Sequence, residues 1–145
     1  MVPVLIGRLQ TRLFLLAVVG SAVTLLVTPL LALTMPLAEQ YRTTFAVLAA
    51  VAVLGVCWEL LYHLLMQFRW EKDWPSLFGL LTGVPEGVLL WVLLRQGLIP
   101  FVDQPPPAAT LAVHFATIWV VVWLVANGPL RVPFLRWRFL GGRLL

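Results

Sequence analysis

Charge is what this sequence has least of. Ten basic and six acidic side chains serve 145 residues, which are 11% charged and 61% hydrophobic. Soluble domains average about a quarter charged and about half apolar. So much apolar surface with so little charge excludes a dissolved globular domain and leaves lipid as the solvent. Cysteine is nearly absent too. The single Cys57 lies in an apolar run, cannot form an internal disulfide, and reads as a small packing residue. Serine occurs only as Ser21 and Ser76. Neither has a base at a readable spacing, so no nucleophilic triad can be assembled. Cys-x-x-Cys, phosphate-loop and metalloprotease signatures are also missing. Four spans of about 20 residues each would consume over half the chain. That leaves no room for a soluble catalytic or nucleic-acid-binding module.

What the chain does have is long apolar runs. The first, 13–35, is too long for a secretory h-region and reads as a retained helix. Pro29 and Pro36 near its far end should kink and then stop it. Gly20, Ser21, Thr24 and Thr28 share one face, where small and hydroxyl side chains let another backbone approach. The preceding residues, including Arg8 and Arg12, read as an interfacial lead-in, and Glu39, Gln40, Tyr41 and Arg42 as a short polar turn. The second run, 44–66, is thinned by alanines in its first half. Trp58, Glu59, Tyr62 and His63 make its last turns polar.

Residues 67–75 read as a surface loop anchored by Trp70 and Trp74. The third run, 76–94, carries Pro85 and Glu86. A loop stiffened by Pro105, Pro106 and Pro107 follows, and the fourth run is 108–127. The tail 128–145 interleaves Arg131, Arg136, Arg138 and Arg143 with Phe134, Trp137 and Phe139. Directly after a membrane span, such a tail fits anionic headgroups better than nucleic acid. The expected fold is an all-α integral membrane four-helix bundle with a basic amphipathic C-terminal tail.

Basic residues mark the cytosolic face of a membrane protein. Arg8, Arg12, Arg69, Lys72 and the four tail arginines fall on one side of a four-span topology, and Arg42 and Arg95 on the other. Eight against two places both termini and the 67–75 loop in the cytosol. The expected location is therefore a bacterial-type cytoplasmic membrane, crossed several times.

Ionisable residues inside a span are functional hypotheses by default. Here they are Glu59, His63, Glu86 and His114. A helical rise of about 1.5 Å per residue puts Glu59 roughly 10 Å and Glu86 about 15 Å from the cytosolic edge. Glu59 and Glu86 could therefore share a proton or cation, or Glu86 could pair with His114. Equally, each could simply satisfy its neighbours. His63, one turn beyond Glu59, sits close to the headgroups. Its height differs from that of His114 by roughly 15 Å, which argues against a haem held by both within one chain. No cofactor or metal is called for.

Gly79, Gly83 and Gly87 form two consecutive small-x-x-x-small steps, the sharpest local pattern in the chain. They predict a tight helix contact, either internal or with another subunit. Arg69, Lys72, Arg131, Arg136, Arg138 and Arg143 are the candidate contacts for headgroups or a partner. The functional expectation is a non-catalytic polytopic subunit of a larger membrane complex, with other membrane subunits or further copies of itself as partners. The alternative is a small oligomeric transporter or proton conductor that uses Glu59 and Glu86.

Overall fold

The computed structural model describes residues 4–31, 33–68 and 76–132. Among them all regular structure is helical. Four helices are long and apolar enough to cross a bilayer. They are α1, Leu5–Leu30; α2, Leu37–Gln67; α3, built from Ser76–Leu81 and Gly83–Arg95; and α4, Ala108–Asn127. α1 packs on α2 and α4, and α3 packs on the same two helices, so the four close into a ring. Leu16, Val47, Leu48, Val51, Leu90, Leu94, Leu111 and Ile118 fill its centre. Large apolar side chains such as Leu26, Leu30, Val53 and Val84 point outward, as a lipid solvent permits.

α1 begins at Leu5, eight residues before the apolar run read from the sequence. Arg8 and Arg12 therefore lie within the first helix and do not precede it. The buried or half-buried positions Arg8, Arg12, Leu16, Gly20, Thr24 and Thr28 recur every four residues along α1. A straight α-helix drifts by about 40° at each such step, which would turn Thr28 to nearly the opposite side from Arg8. The π-helical segment Leu16–Gly20 takes up part of that drift and helps keep both ends of the row facing inward. α1 then tightens into the 3-10 turn Thr28–Leu30, where Pro29 cannot continue the ladder.

α2 begins at Leu37, so Glu39, Gln40, Tyr41 and Arg42 belong to its first turns and not to a polar turn before it. Gln40 and Arg42 staple neighbouring loops to the bundle, and Tyr41 ties α2 to α1. Gln40 Nε2 donates to the carbonyls of Met35 (2.8 Å) and Leu33 (3.3 Å). Tyr41 donates to Leu25 O at 3.0 Å. Arg42 pairs with Asp103, and its Nε donates to Phe101 O at 3.1 Å. Phe101 is held at a φ of 67°, a region that non-glycine residues seldom occupy. α3 ends in a left-handed glycine cap. Gly97, at φ 68°, lets the Leu98 amide reach back to Leu93 O at 3.0 Å. Cys57 faces away from the bundle and is exposed, so it does not pack inside as the sequence suggested.

Of the residues read as headgroup or partner contacts, Arg131 ends a short 3-10 turn, Pro129–Arg131. Arg69, Lys72, Arg136, Arg138 and Arg143 lie outside the described residues, as does the amphipathic tail beyond 132.

Candidate functional site: a guanidinium between two carboxylates

Two arginines face two glutamates inside the bundle. Arg12 projects from α1 into the ring centre and forks between helices. Its Nη1 donates to Glu86 Oε1 on α3 at 3.1 Å and lies 3.4 Å from Glu59 Oε1 on α2. Its Nη2 pairs with Glu86 Oε2. On α4, the Trp119 ring stands 5.3 Å from the guanidinium carbon, a cation–π contact. One side chain of α1 thus touches every other helix. Arg8, one turn earlier, pairs with Glu59 Oε2 at 2.7 Å and sets Nη1 against Met66 Sδ at 2.7 Å. Tyr62, one turn beyond Trp58 and stacked on it, offers its hydroxyl to Glu86 Oε1 at 3.4 Å. Glu86 is 4% exposed, and Arg12 and Glu59 are nearly as enclosed.

Among the described residues the cluster holds two positive and two negative groups, which balance. Neutrality is what lets it lie within apolar surroundings, because an unpaired buried charge is costly. Residues 47 and 74 positions apart in sequence supply the pairing. Arg8 and Arg12 resemble topological flank charges only until their partners are known.

Glycines make the space. A Cβ on Gly55 would stand 2.3 Å from Arg12 Nε, so any side chain there would collide with the guanidinium stem. A Cβ on Gly83 would stand 2.5 Å from Trp119 Nε1. The ridge Gly79, Gly83, Gly87 meets Trp123, Trp119 and Phe115 of α4 in turn, at 3.7, 2.5 and 3.0 Å from the added Cβ. The ridge therefore makes an internal contact. Its counterpart is an aromatic row with the same four-residue step, running antiparallel. Trp119 joins this seam to the charge cluster, since its indole also donates to Leu80 O at 3.1 Å.

The other polar residues read from the sequence lie elsewhere. His114 is 2% exposed and sits near the far end of the bundle, with Nε2 3.3 Å from Thr24 Oγ1 and not against Glu86. Thr28 donates to Thr24 O (2.6 Å) and lies 2.9 Å from Thr44 Oγ1, which in turn reaches Gln40 O at 3.0 Å. The rise per residue separates this hydroxyl group from Arg12 by about 18 Å along α1. His63 is half-buried one turn past Glu59, and its Nδ1 is enclosed with no hydrogen-bond partner among the described residues. No group of three or more His, Cys, Asp or Glu that could hold a metal occurs among the described residues.

The sequence names Glu59 and Glu86 as site residues but reads Arg8 and Arg12 as interfacial charges, gives Tyr62 no more than a polar turn, and assigns no site role to Gly55 or Trp119. Two signals could have found the arginines. They continue the four-residue row of Gly20, Thr24 and Thr28 toward the N-terminus, and they balance the two intramembrane glutamates in charge. Compared with known family models, curated proteins and solved structures, the chain matches none.

Proposed function

We propose that this chain is a non-catalytic polytopic subunit of a larger membrane complex, a compact helical piece that other membrane subunits or further copies pack against. The observation that carries this reading is the Arg12 fork. It spends both carboxylates on holding helices together, which is the work of a structural clamp. The outward apolar faces of α1 and α2 offer contact to lipid or to another helical subunit.

The orientation proposed is cytosolic for both termini. With Arg8 and Arg12 inside the span, Arg69, Lys72, Arg131, Arg136, Arg138 and Arg143 still set six basic residues against Arg42 and Arg95. These six are the proposed contacts for anionic headgroups, in a bacterial-type cytoplasmic membrane.

Extraction into native nanodiscs without detergent, followed by mass measurement and identification of co-purifying chains, tests the role. A defined larger assembly is expected. A lone monomer at every expression level would overturn the proposal.

A second reading, a small transporter or proton conductor, draws support from the meeting of Glu59 and Glu86 in one cluster beside an interrupted helix, a combination that recurs in transport sites. Proton flux in proteoliposomes that disappears in Glu86→Gln would favour it. Absence of flux in the unaltered protein would remove it.

A further inference from the structure

α3 is made of two unequal pieces. The segment Gly83–Arg95 buries Gly83, Glu86, Leu90 and Leu94, and Glu86 anchors it to Arg12. In the other segment, Ser76–Leu81, Leu77, Phe78, Gly79 and Leu81 are all exposed. The glycine seam loosens in the same direction. Gly87 and Gly83 press tightly on Phe115 and Trp119, whereas Gly79 stands at ordinary van der Waals distance from Trp123.

Between the two pieces the helix is interrupted at Thr82. Pro85 has no amide hydrogen, so it cannot donate to Leu81 O. The next bond, from the Glu86 amide to Thr82 O, is long at 3.4 Å. Side chains from other helices reach the carbonyls around the break. The Trp119 indole donates to Leu80 O (3.1 Å), and the Tyr62 hydroxyl lies 3.5 Å from Thr82 O. A helix whose ladder is weakened at one point opens there at lower cost than an unbroken one.

We propose that Thr82–Pro85 is a hinge and that Trp119 is its latch. Ser76–Leu81 swings away from α4 when the indole releases Leu80 O, while Gly83–Arg95 stays fixed by the Arg12–Glu86 pair. This device is independent of whether the chain serves as an assembly subunit.

Hydrogen exchange followed by mass spectrometry on the full chain in nanodiscs tests it, using two substitutions. Trp119→Phe keeps a ring on the seam but removes the donor. Exchange across 78–84 should accelerate about fivefold, the factor matching one hydrogen bond of roughly 1 kcal/mol, with 88–94 and α4 unchanged. Pro85→Ala restores a ladder donor and should slow exchange over the same residues. Either the localised acceleration or the localised slowing supports the hinge. Rates that do not change in either variant, or that change equally over both pieces of α3, would overturn it.

Discussion

The two ends of the bundle solve the same problem with different chemistry. At one end, Arg8, Arg12, Glu59 and Glu86 place full charges in an apolar interior and bind helix to helix. At the other, Thr24, Thr28, Thr44 and His114 use neutral groups, two of which, Thr28 and Thr44, bond a carbonyl of their own helix. The difference is one of reach and obligation. A guanidinium on its long stem crosses the ring to a diagonal neighbour, and once there it must be matched. A threonine hydroxyl reaches one turn back along its own backbone, or no farther than a side chain on the adjacent helix, as Thr28 does to Thr44 and Thr24 to His114. The charged end therefore ties α1 to its diagonal neighbour α3, whereas the hydroxyl end ties α1 to the adjacent α2 and α4.

This contrast can be broken from the charged side first. Arg12→Ala leaves Glu86 buried with, among the described residues, the Tyr62 hydroxyl near its oxygens. Removing one partner of a buried pair typically costs about 3–5 kcal/mol. Unfolding in mixed micelles, followed by tryptophan fluorescence, should show a loss of that size. A loss under about 1 kcal/mol, the range of exposed ion pairs, would mean that the clamp is ornamental.

The glycines sharpen the comparison, because they separate space-making from simple small size. Gly83→Ala drives a methyl into Trp119, and Gly55→Ala drives one into Arg12; overpacking of this kind costs about 1–3 kcal/mol. Gly79→Ala meets Trp123 at 3.7 Å and should be tolerated. Thermal unfolding in detergent should rank Gly83 and Gly55 well below Gly79. Equal effects along the ridge would reduce it to a generic small-residue stripe.

The smallest effect is expected at the hydroxyl end. Thr24→Val keeps the shape and deprives His114 Nε2 of its partner. Hydrogen bonds between membrane helices average about 0.6 kcal/mol and reach about 1.7, so the loss should fall in that range. The same unfolding titration measures it. A loss matching that of Arg12→Ala would erase the distinction between the two ends.

Hydropathy exposes the spans in the sequence because lipid-facing residues need no tertiary partner to explain them. The third and fourth helices overlap the apolar runs, and the Pro105–Pro107 triplet marks the start of the fourth. α1 and α2 each extend farther toward the N-terminus than hydropathy indicates. In both cases polar residues inside a helix look like its flank. Arg8 and Arg12 are tolerable inside because Glu59 and Glu86 meet them, and Arg42, a good helix former, meets Asp103 and Phe101 O from the second turn of α2. Such pairings are long-range and leave no local periodicity. The glycine ridge is legible as a contact, but its partner is not, because the row Phe115, Trp119, Trp123 identifies itself only once the helices are packed. The π segment of α1 has no signature in composition. Its purpose is visible only as the common inward face of Arg12 and Thr24.

The central claim is that Arg12 and Glu86 are energetically coupled across the bundle, and a double-mutant cycle measures this directly. Arg12→Ala, Glu86→Ala and the double variant would be unfolded in the same micelles. The two losses should be far from additive, with a coupling of about 1–3 kcal/mol and a double variant more stable than the sum of the singles implies. Additivity within about 0.5 kcal/mol would contradict it, because residues in independent surroundings behave that way.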